Sequence, residues 1–506
     1  MTDKQIKNIV IIGGGTAGWM AAAALSKIMG RSNIKIYLVE SEAIGTVGVG
    51  EATIPQIALF NDLLGINENE FMAKTQATFK LGIEFKDWSA KGDSYIHPFG
   101  GYGVDMEGIH FHHFWLRLKS VMGNIPPLSD FCLQAYGAAR NKFTRPMDVP
   151  RSPLSKIHYA FQFDAGLYAK FLRELSEKNG VTRTEGRVTN VVQDGATGHI
   201  TSVTLEDGTD IKGDFFIDCT GFIGLLISKT LGVGYDDWSE HLPVNRAVAI
   251  ACRQADDPIP YTRATARDAG WQWRIPLQHR LGNGYVYCDR FLTPEQAEAD
   301  LRETLEGEPL APAKHLKFTT GIRDKVWHKN CLALGLSAGF MEPLESTSIH
   351  LIQTGLSRLM SNFPDMDFDN SVIDYYNERT RNEYIRVRDF LVLHYKASTR
   401  DDTPFWRHVQ SLPVSDKLAQ KMDVFKSTGR VFREDNELFN ETSWLAVMHG
   451  QKLEPKSYHP VVHVLSDAEI KQRLEEIRAT VINSEKVMPR HIDYINEHCK
   501  AESERF

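Results

Sequence analysis

The sequence predicts an α/β protein: a parallel sheet built from βαβ units, to which a mostly helical part is added. Residues Asn8 to Ile12 form a continuous apolar run that ends in glycines, as in a strand buried on both faces. An Ala-rich helical stretch, Trp19 to Met29, follows, and Ile34 to Val39 is a second β-like run. From about Ser371 onward the pattern is mostly helical.

Length and charge limit the function classes. A chain of 506 residues that is 42% hydrophobic exceeds the size at which one core stops growing, so two modules are expected. The net charge of −7, with both signs mixed along the chain, indicates no nucleic acid or anionic membrane as partner, and a small-molecule substrate is expected. The assembly state is expected to be a monomer or a homodimer.

The spacing of the cysteines and the length of the apolar runs indicate the cellular location of the protein. Six cysteines without CxxC spacing suggest neither a disulfide framework nor a zinc site. We find no secretory signal and no apolar run long enough to span a bilayer, so a cytoplasmic location is expected.

The middle of the chain predicts a meander that returns to the N-terminal sheet. Its strands are Val188–Val192, His199–Leu205 and Asp214–Asp218. Asp-Gly pairs at 194–195 and 207–208 supply the turns. Capping-box spacings after Thr293 and Ser466 predict two later helix starts.

The glycine-rich turn Gly13 to Gly18 has the GxGxxG spacing between a strand and a helix. Gly13 permits the tight turn, Gly15 lets a pyrophosphate approach the backbone, and Gly18 allows close helix packing. Glu40, roughly twenty residues on, suits the hydroxyl pair of a ribose. The turn therefore predicts a dinucleotide site, which FAD and NAD share.

Two later segments favour FAD. Phe215 to Gly221 and Gly335 to Ser348 resemble the segments that approach the flavin in FAD-dependent monooxygenases, with Pro343 near the ring. The resemblance implies an FAD-binding Rossmann-like module of the glutathione-reductase or aromatic-hydroxylase type. Those hydroxylases have an aspartate two residues from the glycine that corresponds to Gly335, whereas here Leu336 and Ser337 follow Gly335. This difference disfavours a standard single-component hydroxylase.

Four ordered motifs carry a narrower resemblance. They are Val47–Pro55 (VGVGEATIP), Thr78–Phe85 (TFKLGIEF), Gly270–Pro276 (GWQWRIP) and Glu342–Ser348 (EPLESTS). Together they resemble the flavin-dependent halogenases of the tryptophan and indole type. Trp271 and Trp273 alternate in a predicted strand, so both side chains are expected on one face, as a wall beside the flavin.

The resemblance implies FADH2-dependent chlorination or bromination through a flavin hydroperoxide and hypohalous acid, which reaches a lysine. It maps the catalytic residues onto Lys80, which would hold the halogen, and Glu345, which would stabilise the attacked ring and accept its proton. Backbone N–H groups around Thr347 and Ser348 would hold the halide. Because the family usually has glycine at Ser348, the halide preference stays open.

The implied cofactors are FAD, reduced by a separate NAD(P)H-dependent flavin reductase, with oxygen and halide as co-substrates. The expected cofactor-binding residues are Gly13, Gly15, Thr16, Ala17, Gly18, Glu40, Val49, Gly50, Ala52, Gly335 and Pro343.

For the substrate, flat side chains that suit an indole are expected at His97, Pro98, Phe99 and Trp444. The stretch Asn440 to Gln451 shows no Tyr-Tyr and Glu cluster that could bind an amino-acid head group. Free indole, a substituted indole or another electron-rich aromatic therefore competes with tryptophan as the expected substrate. A metal interpretation of the histidines in IHFHHFW (109–115) lacks further ligands, and no metal site is expected.

The expected module boundaries place FAD binding in 1–95, 151–235 and 320–365. Substrate binding is expected in 96–150, 236–319 and 366–506. The alternative function is an aromatic hydroxylase or epoxidase, which needs its substrate beside the flavin. A flavin-binding relative without turnover is disfavoured because both Lys80 and Glu345 are present.

Overall fold

The computed structural model describes residues 4–30, 32–43 and 50–502. Val49 and most of the VGVG stretch of the first motif lie outside the described residues.

The strands follow one another along the chain as β1 Asn8–Ile12, β2 Lys35–Glu40, β3 Gly50–Ala52, β4 Thr78–Lys80, β5 Gly82–Lys86, β6 Ser94–Pro98, β7 Ala160–Asp164, β8 Thr182–Glu185, β9 Val188–Gln193, β10 Ile200–Leu205, β11 Asp210–Lys212, β12 Phe215–Asp218, β13 Tyr235–Asp237, β14 Arg246–Cys252, β15 Thr262–Arg267, β16 Gly270–Pro276, β17 Leu281–Tyr287, β18 Lys314–Lys317, β19 Gly321–Arg323, β20 Trp327–His328, β21 Cys331–Ala333 and β22 Gly339–Phe340.

The α-helices are α1 Thr16–Met29, α2 Ile57–Leu64, α3 Glu68–Lys74, α4 Phe111–Met122, α5 Leu133–Ala138, α6 Ala165–Lys178, α7 Pro294–Glu303, α8 Ser348–Ser361, α9 Asn370–Lys396, α10 Pro404–Ser411, α11 Asp416–Thr428, α12 Glu441–Gly450, α13 Asp467–Lys486 and α14 His491–His498.

The predicted βαβ unit is confirmed and lies in a six-stranded sheet of order β20-β21-β12-β1-β2-β8. Strands β21, β12, β1, β2 and β8 are parallel, and the short β20 pairs antiparallel at the edge. The central β1 is almost fully buried, as its uninterrupted apolar run predicts. Helix α1 begins three residues earlier than expected, at Thr16, directly after the glycine turn.

The predicted meander has one more strand than expected. β9, β10 and β11 form a separate antiparallel sheet, and the apolar run of β12 then enters the six-stranded sheet beside β1. The missing strand, β11, is three residues long and buries only Ile211, so it gives little periodic signal. Both predicted capping boxes are confirmed, at Thr293 before α7 and at Ser466 before α13.

A seven-stranded sheet of order β18-β14-β17-β16-β15-β5-β6 carries the tryptophan motif in β16. Next to it, β3 and β4 both pair antiparallel with β7. This small sheet places Glu51 of the first motif and Lys80 of the second on the two strands that flank β7, although the two motifs are separated in sequence.

The C-terminal part is mostly helical, as predicted, and α9 is its longest helix at 27 residues. Over the described ranges, no helix is long and apolar enough to cross a membrane.

Candidate active site

A cavity of about 1230 Å³ opens where the carboxyl ends of β1 and β2 meet the seven-stranded sheet. Most of the predicted cofactor residues line it: Gly13, Gly15, Thr16, Ala17, Glu40, Gly50, Ala52, Gly335 and Pro343. Gly18 lies behind the turn. A cavity of this size suits a dinucleotide.

The glycine turn has the geometry that a pyrophosphate requires. Gly13 has φ +110°, and a Cβ on Gly18 would stand 1.8 Å from the Gly13 carbonyl oxygen, so both positions need glycine. Gly15 is different, because a Cβ there would meet no atom within 4 Å. No side chain caps α1, and Thr16 and Ala17 of its first turn line the cavity, so the N–H groups of this turn can bind a phosphate. These residues fit FAD.

Glu40 is fixed beside the turn at the end of β2. The indole N–H of Trp19 donates to one carboxylate oxygen at 3.2 Å, and the Arg183 guanidinium donates to the other at 2.5 Å. The carboxylate is therefore held where the ribose of a dinucleotide would lie.

Two tryptophans of β16, the residues predicted to form a wall beside the flavin, line the cavity. Trp271 and Trp273 both line it, with ring centroids 6.3 Å apart in an edge-to-face arrangement. Gly284 on β17 leaves room for the Trp273 ring, since a Cβ there would stand 2.0 Å from it. Glu51, which sequence reasoning did not single out, also lines the cavity, and burial raises the pKa of its carboxyl to about 7.

Thr347 and Ser348 lie at the cavity wall where α8 begins. No side chain caps this helix, so the N–H groups of its first turn are open to an anion. Ser346 precedes them in the left-handed conformation, with φ 59°. The bend makes the chain pass from a short 3-10 turn, Pro343–Glu345, directly into α8.

Lys80 is fully buried on β4. Its Nζ donates to the Thr53 carbonyl oxygen at 3.0 Å and to Ser346 Oγ at 2.8 Å, and it lies 5.4 Å from the Phe99 ring centroid. Burial lowers the pKa of this amine to about 7, although the nearby Glu345 carboxylate opposes the shift. At neutral pH a large fraction of Lys80 is therefore uncharged.

Glu345 is buried between two histidines. His97 donates from Nδ1 to the carboxylate at 3.0 Å, and His394 Nε2 lies 2.8 Å from the other oxygen. Burial alone would raise the pKa of Glu345, but the charge and hydrogen bonds of the histidines outweigh burial and hold the pKa at about 2. His394 Nδ1 bonds the Phe390 carbonyl at 2.9 Å, which fixes the ring beside Glu345.

The strand that carries Lys80 is also held from behind. The Phe79 N–H donates to His491 Nε2 at 3.1 Å, and His491 Nδ1 donates to the Pro258 carbonyl at 2.8 Å. Burial lowers the pKa of His491 to about 4, so the ring is neutral and makes both bonds near pH 7. Sequence reasoning missed His491 and His394, because neither lies in a motif.

The four predicted substrate residues contact different parts of the site. His97 is bonded to Glu345, Pro98 pairs across the sheet with Gly82, and Phe99 lies beside Lys80. Trp444 contacts Phe390 edge to face at 4.9 Å. Phe390 on α9 also lies 5.8 Å from the His97 ring, so it connects His97 to Trp444 on α12.

The histidines of IHFHHFW make local contacts. His112 Nε2 bonds the Gly429 carbonyl at 2.8 Å, and His113 Nδ1 accepts from the His459 N–H at 3.3 Å. No cluster of three or more metal-ligating side chains occurs within residues 4–30, 32–43 and 50–502.

Comparisons with known proteins identify the family of this chain. A family model described as tryptophan halogenase matches residues 8–467. A tryptophan 6-halogenase of Streptomyces toxytricini is 37% identical over 447 residues, which cover 84% of this chain and 85% of that protein. A tryptophan 7-halogenase of Lentzea aerocolonigenes is 34% identical, covering 90% and 91%. The solved structure of a flavin-dependent halogenase from Xanthomonas campestris is 47% identical with a TM-score of 0.95, covering 99% and 100%.

Two glycine substitutions separate folding of the turn from binding of FAD. Gly15→Ala is expected to keep the thermal midpoint but to weaken FAD binding at least about tenfold, because the methyl group would occupy the pyrophosphate position. Gly18→Ala is expected to lower the thermal midpoint itself, since its Cβ would overlap a backbone oxygen. The measurements are thermal unfolding and FAD titration.

Gly101→Ala is the matched control, because a Cβ there also meets no atom within 4 Å and Gly101 does not line the cavity. Unchanged FAD affinity in Gly15→Ala would contradict the assignment of the turn.

Proposed function

Because the chain belongs to the tryptophan halogenase family, we propose that it halogenates an indole or another electron-rich aromatic by delivering halogen through Lys80. Its FAD would be reduced by a separate NAD(P)H-dependent flavin reductase. The observation that carries this proposal is the position of Ser346, which lines the FAD cavity and also bonds the buried Lys80 amine.

Bound reduced FAD and oxygen supply the oxidation of halide, with the balance FADH2 + O2 + X− + H+ → FAD + HOX + H2O. The protein's own part is to hold halide at the start of α8 and to receive the hypohalous acid at Lys80. Uncapped N–H groups after Thr347 support the first role. The bond from Lys80 Nζ to Ser346 Oγ, next to Thr347, supports the second.

The hydrogen bonds of Lys80 favour an amine that acts as a nucleophile. A neutral amine has two N–H groups, which match the two acceptors Thr53 O and Ser346 Oγ and leave the lone pair free. The nitrogen attacks the halogen, the N–X bond forms, the X–O bond breaks and water leaves: R–NH2 + HOX → R–NHX + H2O. The aromatic carbon then takes the halogen, and the ring proton ends on the lysine nitrogen.

Glu345 would stabilise the positive charge that develops on the attacked ring. A carboxyl whose pKa is held at about 2 stays ionised throughout the working pH range. Its contribution is therefore mainly electrostatic, and it passes the ring proton on to the amine without retaining it.

The proposed function is tested by mass spectrometry of products from the purified protein, a flavin reductase, NADH, FAD, oxygen and a panel of indoles, with chloride and bromide in parallel. A mass gain with the halogen isotope pattern supports the proposal. A gain of one oxygen instead would support the hydroxylase alternative and overturn halogenation.

Lys80→Arg tests the nucleophile directly, because arginine keeps the positive charge and the N–H donors but has no amine lone pair near neutral pH. We expect Lys80→Arg to lose product as completely as Lys80→Met, by on the order of 10²-fold or more, while FAD affinity is retained. Product formation and FAD titration are the measurements. If Lys80→Arg kept activity within a few fold of the unchanged protein, hydrogen bonding to hypohalous acid would replace the haloamine route.

The pH dependence reports the same amine. With a lowered pKa of about 7, the neutral fraction of Lys80 rises with pH, so the single-turnover rate is expected to rise about tenfold from pH 6 to pH 8 and then to level. In Glu345→Gln the carboxylate that favours the ammonium is absent, so the midpoint should move to lower pH and the maximal rate should fall by on the order of 10²-fold.

Glu306→Gln is the control for the pH experiment, because Glu306 pairs with Arg274 outside the site. A midpoint that does not move in Glu345→Gln would argue against a titrating Lys80.

A further inference from the structure

Two consecutive residues of α9 hold the two glutamates of the EPLE sequence. His394 lies against Glu345, and the Tyr395 hydroxyl donates to Glu342 Oε2 at 2.7 Å. The first contact belongs to the Lys80 site described above. The second contact concerns a carboxyl for which the proposed chemistry has no role.

Glu342 is fully buried, and both donors reach the same oxygen of its carboxyl. The indole N–H of Trp271 donates to Oε2 at 2.5 Å, beside the Tyr395 hydroxyl. Oε1 has no hydrogen-bond partner within the described chain. Burial raises the pKa of this carboxyl to about 7, with the two donors opposing the shift, so Glu342 and Glu345 differ widely in acidity.

Tyr395 is itself held rigidly on the far side of this contact. Its ring lies 5.3 Å from that of Trp88, 6.0 Å from Trp406 and 6.1 Å from Phe405. The Trp88 indole in turn donates to the Ala264 carbonyl at 3.0 Å. Tyr395 therefore anchors the Glu342 carboxyl to helix α9.

Trp271 is one of the two tryptophans in the cavity wall, and its ring orientation depends on where its N–H points. Rotation of the ring away from Glu342 would leave the buried Trp271 N–H unpaired and would leave Tyr395 as the one donor to Glu342 Oε2 among the described residues, which costs free energy. The residue after Glu342 begins the 3-10 turn that leads to Glu345 and Ser346. Glu342 thus joins the cavity wall to the chain segment that contacts Lys80.

We propose that Glu342 and Tyr395 are positioning residues that lock the Trp271 indole in the cavity wall, so that oxidant formed beside the flavin passes to Lys80 and does not escape into solvent. The proposal rests on the proposed function. It assigns the first glutamate of EPLEST a role separate from that of the second.

The test measures how much of the oxidised bromide reaches indole and how much leaves the protein. It uses a single turnover with reduced FAD, limiting oxygen, bromide and indole. Free methionine in excess reacts with hypohalous acid that leaves the protein and is converted to methionine sulfoxide. The unchanged protein is expected to keep its haloindole yield when methionine is added. In Glu342→Leu the yield should fall at least about fivefold with methionine present, while haloindole plus sulfoxide stays constant.

Matched variants separate positioning from general destabilisation. Glu342→Gln keeps an oxygen that accepts from both donors and should restore the yield, and Tyr395→Phe, which removes one donor, should leak to an intermediate extent. Tyr376→Phe is the control, because it also removes the hydrogen bond of a buried tyrosine hydroxyl on α9. That hydroxyl donates to the Gly355 carbonyl and not to Glu342. It should retain the original partition.

A double variant shows whether Glu342 acts through Trp271. Trp271→Phe removes the indole N–H, so adding Glu342→Leu to it should produce no further leakage. Additive leakage of the two substitutions would overturn the proposal.

A second readout needs neither FAD nor turnover. In the protein with 15N-labelled tryptophan, the indole N–H resonance assigned by its loss in Trp271→Phe should exchange slowly with solvent. It should exchange faster in Glu342→Leu than in Glu342→Gln. If Glu342→Leu fails to fold, Tyr395→Phe carries both measurements.

The outcomes distinguish this proposal from the proposed function. If the unchanged protein gives neither haloindole nor sulfoxide, halogenation fails, and the exchange measurement alone decides whether Glu342 holds Trp271. If haloindole forms and the Trp271 N–H exchanges faster in Glu342→Leu, or to an intermediate extent in Tyr395→Phe, but the division of halogen between haloindole and sulfoxide stays constant, then holding Trp271 does not affect delivery and the proposal is overturned.

Discussion

The bond from the buried Lys80 amine to Ser346 joins the two halves of the site, because Ser346 belongs to the cavity and Lys80 does not line it. Burying an amine is costly unless its N–H groups find acceptors. Two acceptors are supplied here, by Thr53 and Ser346, on segments that the chain reaches far apart in sequence. The position of the lysine therefore depends on the correct packing of both segments.

Helix α9 contacts several parts of the site. It contributes Tyr384 to the cavity proposed for FAD, Phe390 to the aromatic side chains beside Trp444, and then His394 and Tyr395 to the two glutamates. One helix thus contacts the cavity, the proposed substrate surface and the carboxylate proposed to act in catalysis. A shift of α9 would therefore disturb all three together.

The sequence predicted the elements whose signal is local. The apolar run of β1, the glycine turn and the alternating tryptophans of β16 each show their structure within a few residues. It predicted the Lys80 and Glu345 positions only through motif resemblance. His394, Tyr395 and His491 were not predictable, because their contacts join residues from 49 to 412 positions apart, and a helical pattern does not show what a face will meet.

The two glutamates show how one short segment can provide two different acids. Both are fully buried and lie three residues apart, so burial pushes both toward the neutral form. Glu345 meets two imidazoles, which carry positive charge when protonated, and stays ionised. Glu342 meets only the neutral donors Trp271 and Tyr395, which stabilise an anion less than a cation does, so its proton is retained to higher pH. The more acidic carboxyl is thereby the one near Lys80, where the proposed reaction would need a negative charge to stabilise the attacked ring.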